Sequence, residues 1–307
     1  MKIKPGMNDL LWMAAGAAVL LVCLLIVFHF HNDQDATAQL TRKVLRADLV
    51  SRMQLDLASA AEAEKSAVLA PTDDDSQAFA DQARAAAAKV EQERQELSKL
   101  LPPDGTAREP ELLAQFSTAF TEFQRIDKEL LALAVRNTNL KAYSLAFGPA
   151  ATALKAMDGA LARPSTDAVP ALRCAANARI AAWRLLTLIP PHIAEEDENK
   201  EDALEALMAT EDAQVQKNLA DLAALPKFSN DPDLASATAH YAEFSKIKTR
   251  ILTLSRENTN VRSLSISLNQ KRKVMLVCQE ALGALQQAIQ AEPIAGITYG
   301  TAPVRPR

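Results

Sequence analysis

Residues 122–142 read EFQRIDKELLALAVRNTNLKA, and residues 243–263 read EFSKIKTRILTLSRENTNVRS. Extending the pair without a gap to 122–161 and 243–282 gives about 11 identities in 40, with Asn-Thr-Asn intact in both. Upstream of each motif runs one apolar stripe. Leu113, Phe116, Phe120, Phe123, Ile126, Leu130 and Leu133 follow at steps of three and four, and Leu234, Ala237, Tyr241, Phe244, Ile247, Ile251 and Leu254 repeat the spacing. Such steps keep apolar side chains on one side of an α-helix. A repeated turn motif inside a phase-locked stripe marks an internal duplication.

Working outward, prolines and polar caps divide the chain. Pro71, Pro102, Pro103, Pro110, Pro164, Pro170, Pro190, Pro191, Pro226, Pro232 and Pro293 fall between alanine- and leucine-rich stretches, where helices are expected to end. The stretches predicted as helices are Asp35 to Ala70, Asp74 to Leu101, Glu109 to Val135, Asn139 to Ala162, Asp167 to Ile189, Glu198 to Leu225, Asp231 to Arg256 and Asn260 to Ala291. Asp74, Asp167 and Asp231 suit N-caps, Pro232 suits a first turn, and Asn139 and Asn260 are placed to cap the helices they open. Short connections favour antiparallel neighbours, which predicts a four-helix bundle at residues 36–163 and a second, tandem one at 166–291. Residues 292–307 have no apolar period and read as a flexible tail.

Composition agrees with an all-α chain. Eight glycines in 307 residues are too few for the phosphate-cradling turns of nucleotide-binding folds or for hairpin-rich sheets. A net charge of -4 and a pI of about 5.7 give no electrostatic case for nucleic acid. No G-x-S-x-G, P-loop, H-E-x-x-H or cysteine cluster occurs, so no catalytic residue, metal site or cofactor is expected. Residues 10–30, LLWMAAGAAVLLVCLLIVFHF, carry no acidic or basic side chain and are long enough to cross a hydrocarbon core of about 30 Å. They predict a transmembrane helix, with residues 1–9 on the cytoplasmic side and the bulk of the chain outside. Cleavage after Ala36-Thr37-Ala38 is the rival reading.

Two stretches carry a family resemblance. EKSAVLA at 64–70, followed by TDDDSQ at 72–77 and FADQAR at 79–84, resembles the first-hairpin region of the four-helix-bundle sensory modules of methyl-accepting chemotaxis proteins. Asn139 to Tyr143, with Gly148-Pro149, is similar to the connection between the third and fourth helices of those modules. The resemblance implies a single-pass protein of a bacterial inner membrane whose periplasmic part dimerises and binds a small solute or a partner protein. No HAMP-like sequence or signalling hairpin is recognised in this chain, so output is expected through a membrane signalling partner. A structural protein of the cell envelope is the reading from another class.

Arginine is the expected anchor for a carboxylate ligand. Arg179, Trp183 and Arg184 lie within about one and a half turns of one predicted helix and could form a cationic, aromatic-walled patch; a core tryptophan beside two solvated arginines is the plainer alternative. Arg52, and beside it Arg46, are weaker candidates without an aromatic neighbour. Cys174 and Cys278 fall on the first and fourth helices of the second predicted bundle, where they could form a disulfide or remain two buried thiols.

Overall fold

The computed structural model describes residues 7–101, 108–162 and 169–293, with side chains from residue 36 onward. The described chain is all-helical, with no strand. In order it forms α1 (Met7–Leu69), α2 (Asp73–Leu100), α3 (Arg108–Ala134), α4 (Thr138–Leu145), a π-helical turn at Ala146–Ala150, α5 (Ala151–Leu161), α6 (Val169–Ala194), α7 (Glu198–Ala223), α8 (Pro232–Glu257), α9 (Thr259–Ile266), a second π-helical turn at Ser267–Lys271, and α10 (Arg272–Ala291). The apolar run 10–30 belongs to the backbone of α1, but its side chains lie outside those described. Among the described residues no helix is long and apolar enough to cross a membrane. Residues 1–6, Asp167 and the tail beyond residue 293 also lie outside the described residues.

Several helix ends differ from expectation. Thr72, not Asp74, caps α2, its Oγ1 accepting the Asp75 N–H at 3.1 Å. Asp231 caps α8 through the Leu234 N–H at 2.9 Å, with Pro232 in the first turn as its fixed φ favours. Pro190 and Pro191 do not stop α6, which runs on to Ala194. That extra turn carries His192 and Ile193 into the core instead of a loop.

The helices form two compact units. The larger takes residues 59–85 and 121–275; the smaller takes its described residues from 1–58, 86–120 and 276–307. In the larger unit, α4, the π turn, α5, α6, α7 and α8 share one core, where Leu154 and Met157 pack with Leu185, Ile189, Phe244 and Ile251. A second cluster of the same unit joins Ala67 and Val68 of α1, Ala80 and Ala83 of α2, and Leu130, Leu131 and Ala134 of α3, with Ile266 of α9 against it.

This partition differs from two sequential bundles at 36–163 and 166–291. The fourth helix of the first repeat packs among the helices of the second repeat, and α9 packs against helices of the first. The cause is the joint after each third helix. Asn137 (φ 49°, ψ 39°) and Asn258 (φ 51°, ψ 38°) each place a single left-handed residue between two helices, a conformation that asparagine tolerates. Three residues, 135–137, join α3 to α4 and Asn258 alone joins α8 to α9, and α4 then packs on α8 of the other repeat.

Within the smaller unit, Leu49, Val50, Met53 and Leu57 of α1 are buried together with Leu97 of α2, Phe116 and Phe120 of α3, and Leu282, Leu285 and Ile289 of α10. The rings of Phe116 and Phe120 stack with centroids 5.4 Å apart. Arg46, 3% exposed, donates to Glu109 at 2.6 Å and to Glu292. Lys43 Nζ donates to the carbonyls of Gln290 and Glu292 at 2.8 and 2.6 Å, meeting groups that the end of α10 leaves without an intrahelical partner. The last helix of the second repeat is therefore tied to the first helix of the first repeat.

Candidate functional site

The crossing of the two repeats is polar and reciprocal, and it lies wholly within the larger unit. The Thr138 N–H donates to Thr259 Oγ1 at 3.2 Å, and the Thr259 N–H donates to Thr138 Oγ1 at 3.1 Å. The Asn139 N–H donates to Asn260 Oδ1 at 3.2 Å, and the Asn260 N–H to Asn139 Oδ1 at 3.0 Å. Asn139 Nδ2 reaches Asn258 Oδ1 at 2.7 Å, and Asn260 Nδ2 reaches Asn137 Oδ1 at 2.9 Å. Asn139 and Asn260 thus do not cap their own helices. Each motif instead supplies the acceptors that the other helix's first N–H groups need.

Side chains of the joint also hold the neighbouring turns. Asn137 Nδ2 donates to Ser76 Oγ at 3.1 Å beside the α1–α2 turn, while Asn139 Nδ2 donates to the Ile193 carbonyl at 2.6 Å at the end of α6. Close by, the wholly buried His192 has Nδ1 2.7 Å from Ser255 Oγ and Nε2 3.0 Å from Glu205. Arg256 in turn holds Glu205 and Asp202. Hydrogen bonding to Arg256 keeps the Glu205 carboxyl below its ordinary range, whereas burial pushes Glu201 above it.

A second polar cluster sits at the π turn of the fourth helix of the second repeat. Lys271, 2% exposed, donates to Asp127, lies 3.7 Å from Glu64 and sits 3.4 Å from the centre of the Phe123 ring. Ser267 Oγ donates to Glu64 at 2.6 Å. One ammonium faces two carboxylates in the core. Burial is the main reason that Glu64 titrates above its ordinary range and Lys271 below its own.

Of the arginines singled out in the sequence, Arg179 and Arg184 flank Trp183 along an open groove between α5 and α6, about 610 Å³ in volume and lined also by Asp158, Ala176 and Ile180. The structure does bring these three side chains together. It also adds a partner that sequence reasoning missed. Arg179 Nε and Nη2 donate to the two oxygens of Asp158 at 2.6 and 3.1 Å, and Trp183 Nε1 donates to the same carboxylate at 3.3 Å. Bonding to Arg179, more than any other cause, holds the Asp158 carboxyl below its ordinary range. No sequence signal joins Asp158 to Arg179, because they face each other across two helices whose pairing is set by the tertiary fold. Trp183 is 38% exposed, so it is neither a core residue nor a free one.

Arg52 lies in the smaller unit, exposed and paired with Asp48 one turn earlier at 2.5 Å. Arg46, the neighbour that looked equally weak, is instead a buried ion-pair centre. No disulfide joins Cys174 and Cys278. Cys174 lies on α6 in the larger unit and Cys278 is buried on α10 in the smaller one, so the adjacency expected from a sequential second bundle does not arise. No family model, no curated protein and no solved structure matches the chain.

Proposed function

We propose that this chain is a membrane-anchored sensory module, held by residues 10–30 in a bacterial inner membrane with its helical bulk in the periplasm. It binds a small solute or a partner protein and acts as a homodimer alongside a membrane signalling partner. The observation that carries this reading is the continuity of α1, which runs as one helix from Met7 to Leu69. The same element holds the apolar run and contributes core residues to both compact units. A solute that prefers one helix packing over another would act on a helix continuous with the anchor, and its differential affinity sets the size of the shift. The groove beside Trp183 is the candidate entry point.

The likeness of residues 64–84 and 139–149 to chemoreceptor sensory modules supports the same reading. The second reading, a structural protein of the envelope, draws on a different observation. The polar groups at the joint of the larger unit are paired with one another, as suits an element that holds its neighbours in place.

Thermal melting of the full chain in detergent, against organic acids, amino acids and other metabolites, separates the two. A specific solute raises the melting temperature as its concentration passes the dissociation constant, by about 2.7 kcal/mol of stabilisation at a hundredfold excess. A broad solute set that leaves the melting temperature fixed, with a co-purifying envelope protein, selects the structural reading.

A further inference from the structure

The way the α5–α6 groove is paired internally decides what it can hold. Asp158 accepts from Arg179 at two points and from the Trp183 indole at a third. A solute carboxylate seeking the Arg179 fork has to displace a carboxylate already held there, and a solute cation seeking Asp158 meets a charge already cancelled. What faces the groove beyond this pair is an apolar wall, one cation and Thr187, whose hydroxyl donates to the Arg184 carbonyl at 2.6 Å. Ala176, Ile180 and Trp183 form the wall, Ile180 being half exposed. Arg184 follows Trp183 in sequence, with a side chain 68% exposed and a guanidinium in a long ion pair with Glu211 at 3.9 Å, too far for a hydrogen bond, so its N–H groups remain open to a carboxylate.

The geometry points to a small monoanion with a flat apolar body, an aromatic carboxylate, as the solute of this groove, with its ring against the Trp183 indole and its carboxylate on Arg184. This rests on the solute-binding reading above and names its chemistry. The indole is anchored by its own N–H to Asp158, so it offers a fixed aromatic surface at little cost in side-chain freedom. Arg184 provides the planar fork that matches a carboxylate. A dicarboxylate or an amino acid gains nothing from its second charge here, because Arg179 and Asp158 already satisfy each other. The volume is ample for a single substituted ring.

The chain has two tryptophans, so in a full-length Trp12→Phe variant Trp183 alone reports by fluorescence. Titration with benzoate is expected to give a saturable change. Benzyl alcohol should bind at least tenfold more weakly, and benzylamine and acetate should give no saturable change. Arg184→Gln, at an exposed position, should leave the melting temperature unchanged and weaken benzoate at least tenfold. A benzoate response that is absent, or equal in Arg184→Gln, overturns the assignment. If some other solute still raises the melting temperature of the full chain while benzoate leaves Trp183 unchanged, the ligand class falls and the sensory reading stands. If no solute does either, both fall.

Discussion

Thr138 and Thr259 each accept the other's backbone N–H, and their hydroxyl oxygens lie 3.2 Å apart, so each side chain serves a helix other than its own. Thr138→Ala removes the acceptor for the buried Thr259 N–H and is expected to cost about 1–2 kcal/mol, as loss of an N-cap does. Thr138→Ala with Thr259→Ala should cost less than the two singly by about 0.5 kcal/mol or more, measured by urea unfolding. Strict additivity would show that the threonines cap independently. The buried charges give a second test at this scale. Lys271→Met leaves Glu64 and Asp127 facing each other in the core and is expected to cost about 3–5 kcal/mol. Glu64→Gln behaves differently. Burial raises the Glu64 pKa above its ordinary 4.5, so the folded chain binds more protons than the unfolded one and loses stability as pH rises from 4.5 through the folded value. The glutamine does not titrate. It should exceed the native chain in stability at pH 8, with the gain vanishing towards pH 4.5. A gain that is independent of pH in chemical denaturation would remove Glu64 as the source.

At the scale of the element, the two π turns have a common origin in residue spacing. Ala142, Ala146, Ala150 and Leu154 are all buried, as are Thr259, Ser263, Ser267 and Lys271. In an α-helix of about 3.6 residues per turn, each step of four advances about 40°, so three steps carry the row about 120° round the axis. A π turn, with its wider circuit, absorbs that drift and keeps the row inward. Pro149 is therefore not the cause of the first turn, since SLNQK at 267–271 has no proline and adopts the same form. Pro149→Ala should leave the π turn in place and change stability by less than about 1 kcal/mol, checked by amide exchange and thermal melting. The positions of the helices were legible in the stripes and prolines, because a helix end is a local event. The π turns were not legible: Thr259, Ser263, Ser267 and Lys271 are polar, and only the structure shows that they form a buried row. Pro190 and Pro191 misled, since α6 continues for one turn beyond them where tertiary packing buries His192 and Ile193. The groove was legible in part: Arg179, Trp183 and Arg184 share a helix, but Asp158 comes from another one, and only the packing of α5 on α6 shows that the arginine fork is taken.

For the whole molecule, the decisive fact is which helices share a core. Residues 138–161 and 259–282 are aligned copies whose matched buried positions differ, Ala146 against Ser267 and Ala150 against Lys271, and only the tertiary fold shows which core each one enters. The exchange makes a plain prediction about chain cleavage. If a protease site is placed at residues 163–168 and cut after folding, α4 and α5 stay packed with α6 to α8 although they now belong to a different fragment. The two fragments should run as one species in gel filtration and separate only in denaturant, with a melting temperature that depends on concentration. Sequential bundles would part on cleavage.

Lys271 shows what the exchange means for inheritance. It belongs to the second copy of the duplicated sequence, yet Asp127 and Glu64, the acids it neutralises, belong to the first. The position matching Lys271 in the first copy is Ala150, buried among helices of the second. The two fourth helices have therefore diverged to suit each other's neighbours rather than their own. A charge change at Lys271 should therefore be rescued by a matching change at Glu64 or Asp127 in the other copy, not within its own.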